Sequence, residues 1–472
     1  MKNKQEVNKM AVMPVNKLML NMGIPMILSM ALQAVYNIVD TVFVSKMQPM
    51  TINGMTATGD HGLQALGLVF PAQMMMIAIA IAIGTGVGVN ALLAKCMGQN
   101  DGEKVARVAG NGVFLGAIIY IFYILFGIFG VRAYIDLQNC SEQVTAEMAI
   151  SYLQICSIVS FGVVFFSLFE KLLQATGRSM YSTVAQVTGA VVNIILDPVL
   201  IYGLGPFEPM GIEGAAWATV VGQIASALLG LIFHLKKNRE IAHGWKYKKP
   251  NLMIIKQVYA IGLPAIIAQA LMSLMSLAMN VLLIQVNDDI MTAYTTFYKI
   301  QQFVLFCAFG LRDAITPIVA FNHGLRNQKR VNDGIKYGMQ YTIMIMAVGM
   351  LCVILFANPI SHMFTIENES IRKYLVEAMR FVSLSFIFAG INIACQGIFQ
   401  ALDSGLQSLL ISLFRQAVFI LPLVYAGTRL TIQNGDLSWL IWLTFLITEL
   451  ATAVIAFGFM QGIRKRKVSI LL

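Results

Sequence analysis

The chain has 472 residues, of which 58% are hydrophobic and only 12% are charged. Soluble domains carry about 25% charged residues, so a soluble enzyme or binding module is excluded and an all-α integral membrane protein is expected. The net charge of +10 does not point to nucleic acid, because the excess basic residues fall in short loops between apolar segments, where the positive-inside rule puts them.

A bilayer-spanning helix needs about 20 apolar residues. Lys2, Lys4, Lys9 and Lys17 precede the first such segment, at 18–44, and the second runs over 63–93. Lys95, Lys104 and Arg107 lead into a third span that ends near Arg132, and an acidic loop follows with Asp136, Glu142 and Glu147. The fourth span runs to Phe169, the fifth covers 187–202 with an N-terminal extension, and the sixth covers 214–235. The longest basic stretch comes next (Lys236, Lys237, Arg239, Lys246, Lys248, Lys249) and also holds Pro250. Lying near the midpoint, it reads as a linker at 236–253 between an N-terminal lobe, 1–235, and a C-terminal lobe, 254–472. Spans seven and eight (254–285 and 291–321) flank Asp288 and Asp289. Span nine follows Arg326, Lys329 and Arg330, span ten follows Glu367 and Glu369, and spans eleven and twelve cover 406–426 and 437–462. Twelve spans with both termini cytoplasmic keep nearly every basic cluster inside, which suits a multi-pass protein of the plasma (inner) membrane.

The six cysteines are scattered without a CxxC pair, and the five histidines show no metal spacing. The polar, Lys-rich start and the long apolar run after it do not form a cleavable signal. The stretch GTGVGVN at Gly84 lacks the strand and spacing of a nucleotide loop, and its glycines suit close helix contact. With no nucleophile–base arrangement and no Walker motif, the chain is expected to be neither an enzyme nor an ATP-driven pump, and to need no cofactor.

One stretch is costly. Within VTGAVVNIILDPVLIY, Asn193 and Asp197 stand one helical turn apart, with Pro198 directly after. A carboxylate inside so apolar a helix needs a partner, an ion or a water-filled cavity. The i, i+4 spacing puts two oxygen-bearing side chains on one face, where they can meet one cation.

Internal similarity sets the architecture. GIPMILSMAL from Gly23 matches GLPAIIAQAL from Gly262, and GTGVGVNALLAKCMG from Gly84 aligns with GLRDAITPIVAFNHG from Gly310. A third pair sets LLQATGRS at Leu172 against IFQALDSG at Ile398. The same order and membrane orientation imply two pseudo-symmetric six-helix lobes, a known transporter plan.

The residues GIP…VYNIVDTVFV, PAQ…GTGVG, AKCMGQND, LLQATGRS…NIILDP and GIEGAAWAT, in that order, resemble the multidrug and toxic compound extrusion (MATE) family over nearly the whole chain. The resemblance implies an antiporter that expels cationic or amphipathic compounds by alternating access, driven by inward Na+ or H+. In the DinF-type branch an N-lobe cation site uses a span-one Asp, an Asn and an Asp one turn apart, and a span-six Thr. Those positions match Asp40, Asn193, Asp197 and Thr219. Carboxylates, an amide and a hydroxyl are the oxygen ligands a hard cation takes, and two acids sharing a low-dielectric site also serve a proton. The NorM-type acidic pair of spans seven and ten corresponds to the uncharged Gln269 and Asn392 here.

Gln33, Tyr36 and Asn37 lie near Asp40 on span one and read as polar substrate contacts. In the C-lobe, Lys299, Arg312 and Arg415 read as structural ion-pairing groups, while Asp313 and Glu449 are expected to attract cationic substrates as acids of the cavity. The abundant methionines, 29 in all, suit a loosely specified apolar cavity for small molecules. A lipid-linked oligosaccharide flippase of the same superfamily is the alternative. A two-lobe transporter of this kind is complete as a monomer in the lipid bilayer.

Overall fold

The computed structural model describes residues 8–52, 54–82, 86–138, 140, 142–363 and 369–471, with the backbone alone at 34, 36–38, 52, 71, 74–82, 363 and 436. A short helix α1 (Lys9–Val12) precedes α2 (Val15–Ser45), the first span. Strands β1 (Met50–Ile52) and β2 (Met55–Ala57) follow, then α3 (Gly59–Ala82) and α4 (Val87–Gly98) in place of the second span. The third span is α5 (Gly102–Leu125), which continues through a π-helical turn at Phe126–Gly130 into α6 (Val131–Asp136). The fourth is α7 (Gln143–Ile158) with α8 (Phe161–Ala175), the fifth α9 (Ser179–Tyr202), and the sixth α10 (Ile212–Lys237).

After the linker come α11 (Leu252–Leu283), α12 (Asp288–Gly324) and α13 (Gln328–Leu355) as spans seven to nine, and then the short α14 (Ala357–Met363). The tenth span is α15 (Glu369–Ser383) with α16 (Phe386–Ala401). The eleventh is α17 (Gly405–Leu413), a π-helical turn at Phe414–Val418, and α18 (Ile420–Gln433), and the twelfth is α19 (Trp439–Ile463). Among the described residues nine helices are each long and apolar enough to cross a bilayer, and the two bent pairs bring these to eleven. The small hairpin is an addition to the expected all-helical chain. It pairs Met50 with Ala57 and Thr51 with Thr56, and its signal is the Asn53-Gly54 dipeptide between two short β-prone runs.

The backbone carries the internal repeat further than the side chains do. Asn100 and Arg326, which occupy equivalent places after α4 and α12, both adopt the left-handed conformation, at φ 57° and 56°. In each case the next residue caps the following helix, Asp101 accepting from the Lys104 N–H at 2.9 Å and Asn327 from the Arg330 N–H at 3.1 Å. Gly177 and Asp403 form the second such pair, at φ 81° and 52°. Here the Arg178 N–H reaches back to the Leu173 carbonyl and the Ser404 N–H to the Phe399 carbonyl, both at 2.7 Å. These are the six-to-one bonds that close a helix with a left-handed residue. The equivalent spans four and ten are both broken, by 48° and 53°. At each break a serine N–H closes a four-residue turn, Ser160 to the Ser157 carbonyl and Ser385 to the Val382 carbonyl.

Two compact units result, one of residues 31–262 and one of residues 1–30 with 263–472. Hereafter they are the N-lobe and the C-lobe. The division falls inside α2 and α11, each of which carries an interior proline within two turns of it (Pro25 and Pro264). It therefore differs from a cut at the linker: residues 1–30 belong to the C-lobe and the linker to the N-lobe. Hydrogen bonds account for both memberships. Arg330 donates to the carbonyls of Met10 (2.7 Å) and Met13 (2.9 Å), holding α1 in the C-lobe. In the N-lobe, Asn111 of α5 accepts from the Asn251 N–H at 2.8 Å and donates to the Lys249 carbonyl at 3.4 Å. Each lobe has its own apolar core, around Tyr123, Tyr152 and Val164 in one and Phe297, Phe386 and Trp442 in the other.

Candidate functional site

The α9–α10 contact is built on glycine. A Cβ at Gly222 would sit 2.6 Å from the Gly189 carbonyl oxygen and 3.0 Å from the Asn193 Cβ, and one at Gly189 would collide with the Ser226 hydroxyl. Only hydrogen at these two positions lets the helices meet so closely. The close approach brings α9's polar face against Thr219. Asn193 Nδ2 donates to Asp197 Oδ1 at 3.2 Å, as the one-turn spacing predicts, and to Thr219 Oγ1 at 3.5 Å. Asp197 is wholly buried, and Asn193, Thr219 and Asp40 are 3%, 8% and 9% exposed.

Asp40, from α2, lies within electrostatic reach of Asp197. Three acceptor oxygens in this group have no hydrogen-bond partner among the described residues: Asp40 Oδ1, Asn193 Oδ1 and Asp197 Oδ2. Among the described residues no lysine or arginine pairs with either acid. Pro198 adds to the acceptors, since it cannot supply the N–H that the Ile194 carbonyl takes in an unbroken helix.

Residues that the sequence reading passed over surround the group. Tyr152 of α7, 2% exposed, hydrogen-bonds with Thr219 and with Gln73 of α3. Gln73 also donates to the Cys156 sulfur at 3.7 Å. Tyr152 and Cys156 are one turn apart on α7. The only advance signal was that spacing, and nothing in span four set it apart from ordinary packing. Gln33 accepts from Gln186 at 3.4 Å, two turns before Asn193 along α9. The side chains of Tyr36 and Asn37 lie outside the described residues.

The C-lobe candidates are arranged otherwise. Arg312 holds Asp313, its neighbour in sequence, at 2.9 Å and stacks over the Phe309 ring at 5.0 Å. Glu449 of α19 takes Arg415 through three contacts of 2.7–3.0 Å. It also accepts from Asn392 at 2.7 Å. Arg415 stands in the π-helical turn of span eleven, and both side chains are largely buried, 9% and 13% exposed. Lys299 is exposed. Asn392, uncharged itself, thus lies beside an acid that arrives from span twelve.

The MatE family profile matches residues 25–199 and 264–426, together well over half the chain. The multidrug export protein MepA of Staphylococcus aureus (strain MRSA252) is 25% identical over 454 residues, covering 96% of this chain and 95% of that protein. A crystal structure of MATE in complex with MaL6 superposes with a TM-score of 0.88 at 23% identity, over 98% of this chain and 99% of the other. A MOP superfamily transporter from Pyrococcus furiosus, whose binding pocket is described as having reverse polarity, gives a TM-score of 0.85 at 24% identity over 97% and 98%. Twelve membrane-spanning helices in two lobes are the architecture of these transporters. The chain belongs to the MatE family and is a membrane transporter, not an enzyme.

Proposed function

We propose that the protein is a secondary active antiporter that exports cationic or amphipathic small molecules across the plasma membrane, working as a monomer with both termini in the cytoplasm. Inward movement of Na+ or H+ drives it, and Asp40, Asn193, Asp197 and Thr219 receive that ion. The observation that carries this reading is a group of two buried carboxylates and an amide with three acceptor oxygens that have no hydrogen-bond partner, and no basic side chain against them, among the described residues. An ionised carboxylate in the middle of a span costs about 2.5–3.5 kcal/mol on the insertion scale. A bound sodium ion or a proton removes that cost, so the group's stability is linked to ion occupancy. Gln33, Tyr36 and Asn37 on the same helix as Asp40 would offer polar contacts to the substrate, as would Asp313 and Glu449 in the other lobe.

The flippase alternative needs basic groups free to meet a pyrophosphate. Arg312 and Arg415 are instead held by Asp313 and Glu449, which favours the cation exporter. The test is proteoliposomes loaded with a fluorescent cation such as ethidium, with sodium and proton gradients imposed separately. Export driven by one of them, and lost in Asp197→Asn, is the expected result. Failure with both gradients in protein that is folded and correctly inserted would overturn the reading.

A further inference from the structure

The basic stretch at the midpoint of the chain takes no part in the site described above. It is not a loose loop. The 3-10 turn Trp245–Tyr247 and the residues after it are fastened to α5. Asn111 bonds the backbone of Lys249 and Asn251, and a Cβ at Gly110 would meet the Tyr247 carbonyl carbon at 2.5 Å and the Lys248 nitrogen at 3.0 Å. Two of its ammonium groups are placed by neighbouring rings, Lys246 over Tyr247 at 4.7 Å and Lys248 over Trp245 at 4.4 Å.

Its charge is one-sided. Lys236, Lys237, Arg239, Lys246, Lys248 and Lys249 are all exposed. The sole acid between positions 236 and 250, Glu240, is held by Arg178 through two contacts of 2.8 and 3.0 Å. Beside the lysines stand large apolar side chains left mostly exposed by the described residues: Trp245 is 82% exposed, Leu252 83% and Met253 76%. Leu252 and Met253 open α11, so this combination sits where a span enters the bilayer.

We propose that residues 245–253 form a fixed docking surface for the headgroups of anionic phospholipids. Lysines meet the phosphodiester charge, and Trp245, Leu252 and Met253 dip into the headgroup–acyl boundary. The charge complementarity and the adjoining exposed apolar residues favour a lipid surface, since polybasic segments next to a span are attracted to anionic leaflets and exposed indole belongs in the interfacial belt. A free phosphate would use the lysines and leave the apolar residues idle.

Purified protein in a neutral detergent, titrated with brominated phosphatidylglycerol or brominated phosphatidylcholine, tests this by quenching of Trp245, isolated as the difference from Trp245→Phe. Strong quenching by phosphatidylglycerol that salt weakens, with little by phosphatidylcholine, is expected. Replacing Lys246, Lys248 and Lys249 by Gln lowers the apparent affinity about fivefold per lysine, whereas replacing them by Arg keeps it. Equal quenching by both lipids, or quenching unchanged in the Gln variant at an unaltered melting temperature, would overturn the proposal. So would salt-sensitive capture of an acidic peptide by the same surface without any lipid quenching.

Discussion

The two lobes repeat one backbone and treat a buried carboxylate in opposite ways. In the N-lobe, Asp197 takes the Asn193 amide, which also reaches Thr219, and neither Asp197 nor Asp40 has a basic partner among the described residues. In the C-lobe, Asp313 and Glu449 each hold an arginine. The third repeat pair, Leu172 with Ile398, sets Gly189 of α9 opposite Arg415. The N-lobe spends that position on a close helix crossing, where Gly189 and Gly222 press α9 to α10. The C-lobe spends it on a guanidinium, which the π-helical turn at Phe414–Val418 accommodates. The lesson is that symmetry of fold does not carry symmetry of charge. One lobe keeps buried acids without a basic partner among the described residues, and the other pairs its acids with arginine.

The largest effect should come from removing the N-lobe acids. Asp197→Asn or Asp40→Asn should bring gradient-driven export in proteoliposomes to background, with protein yield and melting temperature unchanged or raised, because a costly buried charge is gone. The double variant should be no worse than either single one, since residues acting as a unit are not additive. Substantial export in Asp197→Asn would break the comparison at its centre.

In the C-lobe the sign of the stability change reverses. Arg415→Gln strands Glu449 and should cost about 3–5 kcal/mol, read as a lower melting temperature in detergent. The pair Arg415→Gln with Glu449→Gln should recover most of that loss while export continues. If the double variant melts like the parent yet no longer exports, Glu449 belongs to the transport cycle and its arginine is more than a structural partner.

Gly222→Ala should act between these. It forces α9 and α10 apart beside Asn193, so we expect about 1–3 kcal/mol of lost stability from overpacking, and partial loss of export as Thr219 draws away from Asn193. Gly230→Ala, on the same helix but with its nearest neighbour at 3.3 Å, should leave export intact and serves as the control.

Much of this was legible in the chain itself, for reasons that can be named. Apolar length and the placing of lysines mark the spans because a bilayer imposes both. Asn193 and Asp197 announce themselves through the cost of polar groups in an apolar helix, and one-turn spacing suffices to predict their contact. What stayed hidden depends on contacts between distant segments. Tyr152 reads as one more aromatic in span four, and only the fold carries it to Thr219. Glu449 and Asn392 lie 57 positions apart, and Arg415 and Glu449 34, so no local pattern could pair them. The membership of residues 1–30 in the C-lobe follows from Arg330 reaching two backbone carbonyls, which a sequence does not display.

The smallest expected effect probes the repeat where its backbone is the same and its residues differ. Gly177 and Asp403 hold the same left-handed turn, at φ 81° and 52°, yet only glycine adopts it without a Cβ penalty. Gly177→Ala should therefore cost about 1 kcal/mol, a shift of a few degrees in melting temperature. Asp403→Gly removes that penalty but adds freedom to the unfolded chain, and the two nearly cancel. A loss in Asp403→Gly as large as in Gly177→Ala would mean that the Asp403 side chain, and not the turn alone, holds that end of α16. The turns would then differ in chemistry as the two buried carboxylate sites do.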